Sequence, residues 1–228
     1  MYRERGARVA GAVLWESVAT GDGPARVLPD GCLDLLWSSR RGLLVAGPDR
    51  TAHLSGSAAG ERWVGLRLPP GAGPAVFGVP ADELRDRRVP LSDLWGPGAV
   101  AVADRTADGR GVAAALEAVA RERLRVAGGP DPLGARLVGR LAAGAPVGTV
   151  AAEVGLGARA LHRRCRHLFG YGPKTLARIL RMRRALALAR SGTPLAEVAA
   201  RAGYADQAHL TRDVRELAGV PPGVLLRG

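Results

Sequence analysis

Pro194-Leu195-Ala196-Glu197-Val198-Ala199-Ala200-Arg201-Ala202-Gly203 repeats the plan of a stretch 48 residues earlier, Pro146-Val147-Gly148-Thr149-Val150-Ala151-Ala152-Glu153-Val154-Gly155. Beyond the glycine the offset becomes 49, and Leu161, Arg163, Gly170 and Pro173 answer Leu210, Arg212, Gly219 and Pro222. One residue has been added in the turn, after which the pattern resumes. A short helix, a glycine turn and a second helix, written twice, predict two helix-turn-helix units in tandem. That arrangement points to nucleic acid.

Charge agrees with the repeat. The chain of 228 residues has a formal net charge of +12. Residues 131–228 hold 16 Arg and Lys against 6 Asp and Glu, whereas residues 1–130 hold 17 against 15. The basic excess therefore sits with the repeat, where a polyanion would be met. Lys174 is the one lysine among 33 basic residues, a bias from which no function follows.

Outward from the repeat, the helices fall into order. Pro132 opens a helix carrying Leu133, Leu137, Val138 and Leu141 that closes at Gly144. The first unit is read as Val147–Val154, a turn at Gly155, and Ala158–Leu168; Pro173–Arg190 is a long connecting helix. The second unit is Leu195–Ala202, a turn at Gly203 and Asp206–Ala218, with a last short helix at Pro221–Leu226. Upstream, Val112, Leu116, Val119 and Leu124 recur at helical spacing within 109–127. That helix is expected to pack in its own chain, as a linker or otherwise, with dimerisation the lesser alternative.

The first hundred residues read differently. Val9–Ala19, Leu33–Ser38, Leu43–Ala46 and Arg62–Leu68 are strand candidates. Gly21-Asp22-Gly23-Pro24, Pro29-Asp30-Gly31, Gly47-Pro48-Asp49 and Pro69-Pro70-Gly71 separate them, and Pro80–Leu84 looks like one helical turn. The expected class is α+β: residues 1–100 a β-rich, antiparallel, partly closed sensor or oligomerisation domain, residues 101–130 a helical linker, and residues 131–228 an all-α DNA-binding domain.

The second helix of each unit has two faces. Leu161, Cys165 and Leu168 share one stripe and must be buried; Arg159, His162, Arg163 and Arg166 share another. In the second unit the buried stripe is Leu210, Val214 and Leu217, and Gln207, Ala208, Thr211 and Arg212 form the exposed one. Arg grips guanine O6 and N7, Gln suits adenine N6 and N7, and the methyls of Ala and Thr suit the thymine methyl. Lys174 and Arg178, at the start of the connecting helix, and Arg166 are expected at DNA phosphates.

Residues 132–227 resemble the AraC/XylS family of bacterial transcription regulators. One signature runs from Gly155 through Gly170-Tyr171-Gly172-Pro173-Lys174 to Arg181-Met182-Arg183-Arg184-Ala185. The other is Gly203-Tyr204-Ala205-Asp206-Gln207-Ala208-His209-Leu210-Thr211-Arg212 followed by Gly219-Val220-Pro221-Pro222. The resemblance implies seven helices and two recognition helices in successive major-groove segments. It places base readout at Arg159, His162 and Arg163 in the first and at Gln207, Ala208, Thr211 and Arg212 in the second. Cys165 and Val214 depart from the family, which usually has buried aromatics there, and imply a repacked core. More loosely, Leu28–Trp37, Val45-Ala46-Gly47-Pro48 and Pro70-Gly71-Ala72-Gly73-Pro74 are similar to a region found on some AraC-type regulators of actinobacterial character. The expected partners are double-stranded DNA, a small-molecule effector, a second copy of the chain and RNA polymerase, with transcription activation as one outcome. The first domain could instead be a protein-interaction module.

Other chemistries are disfavoured. Asp30, Cys32 and Asp34 crowd one strand start, but Asp30-Gly31 suits a turn and Cys32 suits a small packed group better than ligand contacts. A DNA-repair methyl acceptor using Cys32 would need a zinc-binding cysteine set, whereas the only other cysteine is Cys165. His53, His162, His167 and His209 lack metal-ligand spacing, and no nucleophile elbow or phosphate loop occurs. The expectation is no enzyme, no metal and no cofactor. The polar start Met1–Arg5 and the lack of an apolar run of ~20 residues predict no leader, no membrane contact and a cytoplasmic protein.

Overall fold

The computed structural model describes residues 2–21 and 23–227. Met1, and Asp22 of the first Gly/Pro breaker, lie outside them. An antiparallel sheet is built from Tyr2–Gly6 (β1), Val13–Val18 (β2), Leu33–Ser38 (β4), Gly42–Ala46 (β5), Arg62–Leu68 (β7) and Arg88–Pro90 (β8), in the order β1-β2-β7-β4-β5-β8. Ala25–Val27 (β3) and His53–Ser55 (β6) pair separately. The four expected strands correspond to β2, β4, β5 and β7. The strands β1, β3, β6 and β8 were not foreseen. All five residues of β1 and all three of β3 are exposed, so neither carries the alternation that marks a half-buried strand.

Alternation in the central strands makes a sheet with two different faces. Leu14, Leu33, Leu35, Trp37, Val45, Val64, Leu66 and Leu68 enter one core. That core is closed by Gly73–Phe77 (α1), Leu91–Trp95 (α2) and Val112–Val126 (α4), while Val100–Thr106 (α3) packs beside α4. The expected turn at Pro80–Leu84 is a short 3-10 turn over Ala81–Glu83. The helix expected within 109–127 is α4, and Val112, Leu116 and Ala120 put it inside this first core. Arg123 ties it down further, donating from Nε to the Val76 carbonyl at 2.9 Å and lying over the Trp95 ring.

The remaining helices are Pro132–Ala142 (α5), Val147–Glu153 (α6), Ala158–Phe169 (α7), Pro173–Arg190 (α8), Leu195–Ala202 (α9), Gln207–Ala218 (α10) and Pro222–Leu225 (α11). These are the seven that the resemblance implied. α8 agrees with the expected bounds at both ends, because Pro173 fits a first helical turn and Gly192 follows its last residues. Leu161, Cys165 and Leu168 from α7, and Leu210, Val214 and Leu217 from α10, are all buried. They pack with Leu176, Ile179 and Met182 of α8 in a second core. At Gly155 and Gly203, φ is 67° and 77°, left-handed values at which a side chain would be strained, so each turn depends on its glycine.

Candidate nucleic-acid interface and the cavity beside it

The recognition helices start from different caps. Asp206 accepts the backbone N–H of His209 at 2.6 Å and so caps α10, whereas α7 begins at Gly157 without a side-chain cap. Asp206 in the Ala205-Asp206-Gln207 signature is thus explained by helix initiation. The His209 ring accepts from the Ala205 N–H and meets Tyr204 edge-on at 5.1 Å.

Of the residues assigned to base readout, Arg159, His162, Arg163, Gln207, Ala208 and Arg212 are exposed and Thr211 is half-buried. Arg159, Arg163 and Arg212 have no acidic partner among the described residues, and Lys174 is likewise exposed without one. The other two phosphate candidates are engaged. Arg166 pairs with Asp82 of the first half at 2.6 Å. Arg178 pairs with Asp213 at 2.7 Å and Glu216 at 2.5 Å. Asp213 is buried and also takes Arg181 at 3.1 Å and the Tyr204 hydroxyl at 3.0 Å. Burial alone would raise its carboxyl, but the hydrogen bonds from Arg178 and Arg181 hold it below the usual carboxylate range. Arg181 lies 4.2 Å over the Tyr204 ring. The cluster fastens α10 to α8 and so fixes the second recognition helix to the rod that carries the first.

The first half holds the far ends of both recognition helices. Arg85 donates to the Gly170 carbonyl at 3.0 Å, just past α7, and Arg26 donates to the Ala218 carbonyl at 2.8 Å, the last residue of α10. A cation at a helix C-terminus satisfies carbonyls that lack intrahelical partners and opposes the negative end of the dipole. The Ala52 N–H adds a bond to the Leu217 carbonyl at 2.7 Å. Gly170 must be glycine on two counts: its φ is 83°, and a Cβ would lie 2.5 Å from Pro48 Cγ.

The second face of the sheet does not enter the first core. With β3, β6 and α8 it encloses a cavity of about 830 Å3. Its floor is apolar: Leu36, Ala46 and Trp63 cluster with Trp15 and Leu44. Trp15 lies flat against Gly65, where a Cβ would come within 2.2 Å of the indole. Its walls are mostly basic. Arg26, Arg41, Arg67, Arg88, Arg183 and Arg190 face Asp30, Asp34 and Asp49. Arg88 is matched by Asp49 at 2.5 Å, and Arg41 by Glu61 at 3.4 Å. Arg67 lies 3.3 Å from Asp30 and 3.5 Å from Asp34, and Arg183 shares Asp30 at 3.7 Å. Arg26 and Arg190 have no acidic partner among the described residues. Burial, together with the neighbouring Asp30, pushes Asp34 up to about 6 against the pull of Arg67. Burial, then Asp30 and Asp34, push the Cys32 thiol well above its ordinary value.

Asp30, Cys32 and Asp34, read from sequence as turn and packing residues, all line this cavity. The turn reading also holds in part, since Asp30 accepts the Cys32 N–H at 2.9 Å. Sequence reasoning did not single out Trp15, Trp63, Arg67, Arg26 or Arg190. The available signal was Arg67 within the otherwise apolar Trp63-Val64-Gly65-Leu66-Arg67-Leu68, a charge that a strand buried on both faces would not hold.

Residues 150–228 match a helix-turn-helix domain family, and residues 12–90 match a domain of unknown function, DUF6597. No curated protein matches. Among solved structures, a probable AraC family transcriptional regulator from Rhodopseudomonas palustris is similar at 21% identity, over 42% of this chain and 96% of that one, with a TM-score of 0.37. The C-terminal domain of AraT, a response regulator from Geobacillus stearothermophilus, is similar at 23% identity over 42% and 85%, with a TM-score of 0.39. ToxT from Vibrio cholerae is similar at 7% identity over 95% and 96%, with a TM-score of 0.49. The second half of the chain is a helix-turn-helix DNA-binding domain. With its two helix-turn-helix units, the protein is a DNA-binding transcription regulator.

Proposed function

We propose that this regulator is of the one-component kind: residues 131–228 read a specific DNA site, and the preceding residues sense a signal through the cavity. The observation that carries the reading is the pair of exposed faces at matched positions of the repeat, with Arg159, Arg163 and Arg212 free of acidic partners among the described residues. Arg159, His162 and Arg163 would address one major-groove segment and Gln207, Ala208, Thr211 and Arg212 the next. Lys174 would contact phosphate directly; Arg166 and Arg178 would reach it only where Asp82, or Asp213 and Glu216, release them. The cavity supports the sensing role, being within the ~300–1,000 Å3 typical of small-molecule sites.

A second reading rests on β1, which lies at the edge of the sheet with all five residues exposed. Such an edge offers unpaired backbone groups to another strand, so a second copy of the chain or another protein could pair there. RNA polymerase is the further partner that an activator would require.

Selection of bound sequences from a random DNA library tests the reading. The intact protein should enrich a site with two conserved blocks, and Arg163→Ala should lose preference within one of them. Enrichment of no motif would overturn it.

A further inference from the structure

The cavity wall and the end of the second recognition helix share one side chain. Arg26 lines the cavity and at the same time donates to the Ala218 carbonyl. Its charge is matched by no acid among the described residues, and that of Arg190, which lines the cavity from α8, is not matched either. Beneath them lies the indole and aliphatic floor of Trp15, Trp63, Leu36 and Leu44. A space with an apolar floor and two uncompensated guanidinium groups at its rim is complementary to an amphipathic anion. A neutral polar solute would leave both charges unmatched, and a cation would be repelled.

We infer that the cavity takes an organic anion with a flat apolar body, its carboxylate or sulfonate gripped by Arg26 and Arg190, and that Arg26 thereby leaves the carbonyl at the end of α10. This rests on the sensing role proposed above and names the ligand class and the contact that carries the signal. An anion offers Arg26 a full opposite charge in place of a neutral carbonyl, adding Coulombic attraction to the hydrogen bond. The end of α10 then loses its cationic cap. The second helix-turn-helix unit is freed from the first half on one side and remains fastened to α8 through Asp213.

The test uses two fluorescent probes with the same aromatic body: 8-anilinonaphthalene-1-sulfonate, which is anionic, and N-phenyl-1-naphthylamine, which is not. Both are titrated into the full chain, reading energy transfer from tryptophan and stoichiometry. One equivalent of the sulfonate should bind about tenfold more tightly than the amine, the factor that one charge-assisted bond to the rim supplies. The double variant Arg26→Gln, Arg190→Gln should lose most of that preference and keep its affinity for the amine within about twofold, since the floor is untouched. DNA binding is followed in parallel on a site selected from a random library. The sulfonate should change the affinity of the native chain by several-fold, and that of Arg26→Gln by much less. Equal affinity for the two probes, or a preference that survives in the double variant, would overturn the ligand class. An unaltered DNA affinity with the anion bound would overturn the role of Arg26. Loss of selective DNA binding by the ligand-free native chain would instead strike the regulator reading, because the probe measurements do not depend on it.

Discussion

At the scale of single residues, two aspartates show how context decides a charge. Asp213 faces Arg178, Arg181 and the Tyr204 hydroxyl and is held ionised. Asp213→Asn should leave Arg181 without its anion and Arg178 with Glu216 alone. The cost should be about 2–4 kcal/mol, somewhat under that of breaking a fully buried pair because Arg178 is partly solvated. Thermal denaturation of the full chain should show a fall in Tm of several degrees, and an unchanged Tm would mean that the cluster contributes nothing. Asp34 behaves in the opposite sense. Its folded value of about 6 exceeds the ordinary 3.8, so between these values the native chain holds a proton that the unfolded chain has released. Stability should therefore fall as pH rises through this window, by up to ~3 kcal/mol. The lowered Asp213 opposes this only at more acidic pH. Asp34→Asn isolates the effect: the variant should gain stability relative to the native chain between about pH 4 and pH 7 in urea melts, the span over which the carboxyl ionises. A difference that is flat with pH would show that Arg67 keeps Asp34 ionised throughout.

At the scale of elements, legibility followed periodicity. Residues 147–218 were readable because apolar spacing, glycine turns and Pro starts agreed, and each helix of the two units lies within a residue of its expected bounds. The exposed stripes of α7 and α10 were readable for the same reason. β1 and β3 were not, because a fully exposed strand leaves no alternation to find. The cavity was not, because its lining comes from all eight strands and α8, distant in sequence and joined only by the fold. The engaged state of Arg166 and Arg178 was equally hidden, since Asp82 and Asp213 lie 84 and 35 positions away. α8 spans 18 residues, hence ~27 Å at 1.5 Å per residue, and sets the two units apart. Arg163→Ala and Arg212→Ala should each cost about 1–3 kcal/mol in DNA affinity. Their footprints should weaken at positions about one helical turn, ~34 Å, apart. Weakening at the same base pairs would refute a tandem arrangement.

At the scale of the whole molecule, the charge imbalance between the halves sets the response to salt. A surface that neutralises several phosphates should give a log–log slope of about −0.9 per phosphate, and six or more contacts should reduce affinity by about a thousandfold between 50 and 200 mM salt. Lys174→Gln should make that slope shallower by roughly one contact. Arg178→Gln should change it little, because its charge is already met by Asp213 and Glu216. Equal changes in the two variants would mean that the Arg178 ion pairs open on DNA.

The grip of Arg85 on the end of α7 and of Arg26 on the end of α10 has a consequence for the geometry of promoters. Two reading heads clamped at their rear ends cannot follow a change in the distance between the segments they read. One base pair inserted between those segments moves the second by ~3.4 Å and turns it by ~35° about the duplex axis. The native chain should reject such a lengthened site more sharply than a chain carrying Arg26→Gln and Arg85→Gln, in which only the shared core and the Asp213 cluster hold the heads on α8. The tolerance of a promoter for insertions and deletions then becomes a property of the half of the protein that lies outside the helix-turn-helix units.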